Sequence, residues 1–299
     1  MASRYLRFQL RGAAEPRRAP LLERLLARAE EAAAAADWRA DAFRIIAPQA
    51  PLPSVAAVAY RAARGPRQQG CVFVATPLHY LAELSNVRLA DAGILSLEAA
   101  DAESLARDFN RDWRDSGADL WAASGRLFCG FDTPLEVTTH DPERVRGQHL
   151  ENFLPTGADA KRVRSLMSEI EMWLFDHALN RAREQQAQLR LSALWLWGGG
   201  APLASLPLVQ GTAAGADALF DAYPPAAAGS ADIMLVQAEP NSAEWAAMEA
   251  RWLSPTLADL RRGRIERLEL SAGERRFVIS ARWRRKFWRR AKPWWEYFE

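Results

Sequence analysis

Apolar positions along the chain fall into two periods, and the switches between them predict the elements. Residues 10–18 are basic, contain Gly12 and Pro16, and read as a loop. Leu21, Leu22, Leu25, Leu26 and Ala29 then recur at helical spacing from Pro20, and the alanine run 32–36 extends that helix on propensity. Pro48, Pro51 and Pro53 interrupt the chain. A second helix is predicted over 55–63, stopped by Gly65-Pro66. Residues 71–75 are short, apolar and β-branched, as a buried strand is, and Thr76-Pro77 ends it. Within 98–115, Leu105, Phe109 and Trp113 form a helix stripe. The runs 120–122 and 127–131 flank Ser124-Gly125 as a β-hairpin, and 132–158 read as loop. One long helix is predicted over 159–188, with Val163, Leu166, Met167, Ile170 and Leu174 on one face. A strand over 191–197 runs into Gly198-Gly199-Gly200. Residues 211–231 are rich in Gly and Ala, 233–236 form a buried strand, and 245–260 form a helix stopped by Arg261-Arg262-Gly263. Short strands over 265–270 and 277–280 surround Ala272-Gly273. Strands alternating with helices argue an α/β class with a mixed sheet. No internal repeat is visible.

Composition changes this picture little. A chain of 299 residues makes one large domain or two ordinary ones. Hydrophobic residues at 49% and charged residues at 25% are those of a globular protein. A net charge of +2 gives no global field toward nucleic acid or membrane. Cys71 and Cys129 stand in no CxxC or zinc-like spacing, so both are expected as free thiols. The N-terminus carries no apolar run of signal-peptide length, and no stretch approaches the ~20 apolar residues of a membrane span. The expected location is cytoplasmic.

Candidate chemistry is sparse. The amides of Gly198, Gly199 and Gly200 after a strand can receive an anion, but neither GxGxxG nor GxxxxGK[ST] is present, and a tight strand exit explains them equally. His79, His140, His149 and His177 include no pair at i, i+3 or i+4. His140 and His149 share a loop and are the two able to converge. His177, Asn180, Arg181 and Glu184 lie within reach of one another on a helix, beside Arg183, as either a ligand-facing or a solvated face. No serine sits in GxSxG, and Glu169 and Glu171 bracket Ile170 without sharing a face. Residues 282–292 hold seven basic residues in eleven, interleaved with Trp283, Phe287 and Trp288. Arg284, Arg285, Arg289 and Arg290 are candidate contacts for nucleic acid or an anionic surface. The alternative is a tail whose aromatics pack while its arginines stay wet.

The run from His177 to Glu184, followed by Leu194-Trp195-Leu196-Trp197-Gly198-Gly199-Gly200, resembles RpfE-type regulatory proteins, which are phosphoglycerate mutase-like. It is also similar to the archaeal-type cofactor-independent phosphoglycerate mutases, with their HPVNxxR motif ahead of an IWLWGxG strand. Asp141-Pro142 with Gly147 looks like the DP(H)xxG stretch of the mutase cap. Residues 20–29 and 252–288 look like the other ends of the RpfE-type family, which the chain resembles over most of its length; the likeness to true mutases covers mainly 120–200. Here Ala178 replaces the motif proline, Ser192 an asparagine and Ala187 a glycine. The resemblance implies an alkaline phosphatase-like α/β core over 1–79 and 191–299, with a cap-like α+β insertion over 80–190. It implies ligand contacts at His177, Asn180, Arg183 and the three glycines. The parent mutases hold two divalent metals with Asp and His ligands beside a Ser or Thr nucleophile. No histidine follows His177 here, and Asp37 and Asp41 do not reproduce the N-terminal metal motif. The expectation is therefore a catalytically silent protein with a binding or regulatory role, no cofactor, no metal, an unidentified protein partner and a small phosphorylated ligand. The rival readings are a phosphomutase or phosphatase with rebuilt metal ligands, and an adaptor working through the basic tail.

Overall fold

At the centre of the first sheet lies a strand outside the predicted elements, β1 (Ser3–Leu10). The computed structural model describes residues 3–10, 18–67, 69–83, 86–238, 244–280, 282–283 and 288–298. In β1, Leu6 and Phe8 are buried on one face and Tyr5 on the other. The sequence carries the matching alternation, with Leu6, Phe8 and Leu10 apolar and Arg7 and Gln9 polar. α1 (Pro20–Arg28) buries Leu22, Leu25 and Leu26 as predicted. The alanine run does not extend it. The chain instead enters β2 (Glu30–Ala32), an edge strand that pairs with a strand from the far end of the chain. Helix propensity amounts to tenths of a kcal/mol per residue, roughly, and a sheet ladder outweighs it. α2 (Trp38–Ile46) begins at the helical Trp38-Arg39-Ala40 that Asp37 and Asp41 flank. The Asp37 side chain caps it by accepting from the Arg39 amide, and it buries Ala42, Phe43 and Ile46.

The chain divides into two compact units, one of Met1–Leu52 with Pro207–Glu299, the other of Pro53–Leu206. The second begins with α3 (Val55–Arg64), capped by Ser54. β3 (Cys71–Ala82) continues through Thr76-Pro77 rather than ending there. Pro77 lacks an amide hydrogen, but its carbonyl accepts from the Leu95 amide, so the strand passes through it. β4 (Val87–Ile94) pairs with the later half of β3, and α4 (Ala99–Asp112) carries the predicted stripe. β5 (Ala118–Ala123) and β6 (Arg126–Phe131) form the predicted hairpin, with Ser124 and Gly125 both at positive φ, as a two-residue type I′ turn requires. The loop after it holds only α5 (Pro142–Val145) and a 3-10 turn at Leu150–Phe153. The single helix predicted over 159–188 is two, α6 (Ala160–Phe175) and α7 (Ala178–Gln185), because His177 is extended and caps the second. β7 (Ala193–Gly200) includes the three glycines and lies along β3. This sheet is antiparallel, in the order β4-β3-β6-β5 with β7 also on β3. The resemblance puts the boundaries at 79/80 and 190/191. The ladder between β3 and β7 keeps both strands whole in one unit, and the compact units meet at 52/53 and 206/207.

The first unit resumes with β8 (Ala213–Ala214) and β9 (Ile233–Ala238). The helix predicted over 245–260 is α8 (Glu244–Met248), a π-turn and α9 (Ser254–Arg261). β10 (Arg267–Ala272) and β11 (Arg275–Ser280) turn at Gly273. The sheet is mixed, in the order β2-β11-β10-β1-β9-β8, with β9 and β10 flanking β1 in parallel. One face carries Leu6, Phe8, Met234, Val236, Leu268 and Leu270 into a core closed by leucines of α1 and α9. On the other face Tyr5 stacks on Trp38 of α2, and Glu269 and Ser271 are buried. Two devices hold the charge there. Arg39, 2% exposed, meets Asp217, 6% exposed, at 2.7 Å, and Arg276 bridges Glu269 at 2.6 Å and Asp41 at 3.6 Å. The architecture is α/β, and among the described residues no helix is long and apolar enough to cross a membrane.

Candidate functional site

The residues to which the resemblance assigns ligand contacts all lie in the unit formed by Pro53–Leu206. Asn180 is 1% exposed. Its Nδ2 donates to the carbonyls of Leu174 (2.7 Å) and Leu191 (2.8 Å), and its Oδ1 accepts from the Leu191 amide (2.7 Å). These bonds tie the end of α6 and the start of α7 to the entry of β7. Arg183 is buried too, and its Nε donates to the Leu189 carbonyl at 2.7 Å. Arg181 and Glu184 are exposed, Glu184 paired with Arg190. The expected shared polar face therefore divides: Asn180 and Arg183 point inward, Arg181 and Glu184 outward.

His177 closes the gap between the two helices. Its Nδ1 accepts from the Leu179 amide at 3.1 Å, which leaves the ring proton on Nε2, facing Asp108 Oδ2 at 3.3 Å. Trp173 packs on the ring, 4.4 Å between centroids. Burial lowers the His177 pKa below the ordinary histidine value, against the pull of Asp108. A neutral imidazole is what the cap needs, because a protonated Nδ1 cannot accept.

The positions that depart from the mutase motif have readable roles. Ala178 is the first residue of α7, where proline is favoured because its fixed φ suits the first turn. Ser192 Oγ accepts from the Tyr80 amide at 3.0 Å, holding β7 to β3. Ala187 has φ +53°, the left-handed conformation for which glycine is suited. Ala187→Gly is therefore expected to stabilise this unit by about 1 kcal/mol. Urea denaturation checks it, and an unchanged midpoint would count against strain at this turn.

The three glycines are a packing device inside a strand, not a loop after one. A Cβ on Gly199 would stand 2.1 Å from the Phe73 ring, and one on Gly200 2.4 Å from Ser54 Cβ. Gly198 has φ +63°, and its carbonyl accepts from Ser54 Oγ at 2.9 Å. Glycine here lets β7 lie close against Phe73 and the N-cap of α3. The Gly198 amide donates to Thr139 Oγ1 at 3.1 Å.

The other candidate ligands differ in what their side chains meet. His79 Nδ1 lies 3.0 Å from the Arg190 carbonyl. His140 packs edge-on against Phe153, and its carbonyl accepts from Trp195 Nε1 at 2.7 Å. His149 bridges to Arg88 through the backbone, and its buried ring Nδ1 has no hydrogen-bond partner. Asp141 caps α5 by accepting from the Glu143 amide at 2.9 Å, with Pro142 in the first turn, and the Gly147 amide donates to Leu89. In the other unit, Asp37 caps α2 and Asp41 is paired with Arg44 and Arg276. Among the described residues no three His, Cys, Asp or Glu side chains gather as a metal requires. Cys71 and Cys129 are buried free thiols, and burial pushes the Cys71 pKa up to about 11.

In the C-terminal tail Arg284 and Arg285 lie outside the described residues. Arg289 and Arg290 are exposed, and Arg289 donates to the Ala29 carbonyl at 3.1 Å. Trp283 is buried between the guanidinium groups of Arg28 and Arg261, and Trp294 packs 4.8 Å from Trp245. Trp288 is 66% exposed. Two of the tail's tryptophans thus serve the core while the neighbouring cations stay wet. Residues 294–297 form a 3-10 turn.

No protein-family model matches the chain. Over 64 residues it is 31% identical to a probable 2,3-bisphosphoglycerate-independent phosphoglycerate mutase from Geobacter sulfurreducens; the stretch is 21% of this chain and 16% of that protein. The match therefore spans less than a fifth of that relative's length. Among solved structures, the chain is similar to a cofactor-independent phosphoglycerate mutase from Thermoplasma acidophilum, with a TM-score of 0.38, 13% identity and coverage of 94% of this chain and 90% of that one. It is also similar to the PH0037 protein from Pyrococcus horikoshii, with a TM-score of 0.35, 11% identity and coverage of 93% and 87%. Neither score reaches 0.5. The sequence likeness to a phosphoglycerate mutase is confined to one stretch.

Proposed function

We propose that the chain is a catalytically silent phosphoglycerate mutase-like protein that acts by binding, with a regulatory role of the RpfE type. In this reading the unit containing β1 corresponds to an alkaline phosphatase-like core and the unit Pro53–Leu206 to an inserted cap. The observation that carries the reading is the use of Asn180, Arg183, His177 and the three glycines as fasteners of the fold, where a mutase-like segment is expected to meet ligand. The residues present also fit a two-metal site poorly. Metal-assisted phosphoryl transfer needs Asp and His donors with free lone pairs around each ion. Asp37 and Asp41 are held by a helix cap and by arginines, and the histidines stop at His177.

The test is an assay for interconversion of 2- and 3-phosphoglycerate on untagged protein, with and without added Mn²⁺, beside elemental analysis of the same sample. No turnover in either condition is expected. Turnover that rises with bound metal would overturn the silent reading and favour a metal-dependent phosphomutase with rebuilt ligands.

A further inference from the structure

We infer that a groove between the start of α6 and the β5–β6 hairpin binds a small phosphorylated polyol or sugar. The groove has a volume of about 590 Å³, within the range of roughly 300–1,000 Å³ typical of small-molecule pockets. Its helix side presents Lys161, Arg162, Ser165 and Glu169, and its sheet side Ser116 and Phe131. Lys161, Ser165 and Glu169 follow one another at i, i+4 and i+8, so they share one face of α6.

Charge sets the orientation of the ligand. Among the described residues neither Lys161 nor Arg162 is paired with a carboxylate; Arg162 Nη1 donates instead to Thr133 Oγ1 at 2.8 Å. The acids on the groove are held locally. Asp159 accepts from the Glu136 amide at 2.7 Å, and Glu169 accepts from Ser165 Oγ at 3.0 Å. Two adjacent cations match a phosphomonoester dianion better than a single carboxylate. The attraction comes from these side chains. The amides of Ala160, Arg162 and Val163 are occupied by the Gly157 and Asp159 carbonyls. Glu169 stands seven residues beyond Arg162, about 10 Å along the helix. Hydroxyl groups at the far end of a ligand would donate to its carboxylate.

Phe131 decides the class further. Arg162 lies over its ring, 5.3 Å from the centroid, so that face is already covered and a nucleobase has no platform there. A polyol needs no stacking platform, only the hydroxyls of Ser116 and Ser165 and the Glu169 carboxylate. The inference rests on the reading that this chain acts by binding, and it names a ligand class for residues the mutase resemblance does not single out.

Calorimetric titration of the full chain with glucose 6-phosphate tests it, with inorganic phosphate and glucose as separate arms. Glucose 6-phosphate is expected to bind, phosphate more weakly, and glucose not at all. The double variant K161A/R162A is expected to weaken binding by about tenfold or more. K161Q alone leaves the contact of Arg162 with Phe131 in place and is expected to weaken binding measurably, so a packing defect in the double variant cannot mimic the result. No binding at millimolar glucose 6-phosphate, unchanged affinity in both variants, or phosphate binding as tightly as the sugar phosphate would each overturn the site. Any of these alongside an inactive mutase assay removes the groove and leaves the silent reading standing. Metal-dependent turnover removes the silent reading and leaves the groove untouched.

Discussion

Asp217→Ala is expected to destabilise the unit containing β1 by about 3–5 kcal/mol, measured as the loss of unfolding free energy in urea followed by circular dichroism. Arg39 and Asp217 are both nearly excluded from water, and three contacts join them: Nε to both carboxylate oxygens, at 3.3 and 3.0 Å, and Nη2 to Oδ2 at 2.7 Å. Removing the carboxylate leaves a buried guanidinium for which Asp37, 3.5 Å away and 40% exposed in its side chain, is a weaker acidic partner. That partner is too wet and too distant to compensate fully, although it places the loss toward the lower end of the range. Asp217 Oδ1 also accepts from the Leu219 amide at 2.8 Å, so the turn at Phe220–Ala222 loosens as well. The conservative Asp217→Asn keeps the shape and removes the charge, and should fall between wild type and alanine. A loss below about 1 kcal/mol for Asp217→Ala would mean that water reaches Arg39 and that the pair is not the buried bridge described here.

Asn180→Ala should cost the other unit about 3–5 kcal/mol. Each buried backbone group left without a partner costs about 1–3 kcal/mol, and the substitution orphans the Leu191 amide and carbonyl. The Leu174 carbonyl loses one donor but keeps the His177 amide at 3.1 Å. The two orphaned groups belong to one residue, so their costs do not simply add. Asn180→Asp keeps the side-chain shape but faces two carbonyls with a carboxylate, and is expected to be at least as damaging. Faster hydrogen exchange at the Leu191 amide should accompany both, because the entry of β7 loses its anchor. A side chain reserved for ligand predicts the opposite: near-normal stability with impaired binding. The comparison decides between fastener and ligand contact at this position.

Much of the local structure was legible in the sequence. The stripe Leu105, Phe109 and Trp113 lies on α4, and Ser124-Gly125 makes the hairpin turn, because these signals depend on residues close in the chain. The split at His177 was not legible. The apolar stripe from Val163 to Leu174 says nothing about a histidine ring that replaces an amide's helical partner. The polar stripe of Lys161, Ser165 and Glu169 is present in the predicted helix, but only the approach of Phe131 and Ser116 turns it into the wall of a groove.

The amino-acid sequence by itself determined the α/β class, the helices over 55–63 and 98–115, the buried strands at 71–75 and 233–236, and the turn at Gly273. Each follows from the period of the apolar residues and from the backbone freedom of nearby turn residues. Tertiary structure decided the rest. It placed Ser3–Leu10 at the centre of a sheet, between β9 and β10, and it made an edge strand of Glu30–Ala32, where a ladder outweighs alanine's helix propensity. It gave Gly199 its place against Phe73, and it turned Asn180 from a residue on a polar stretch into a buried clasp. Such roles are set by what arrives from elsewhere in the chain, and a local pattern carries no record of its eventual neighbours.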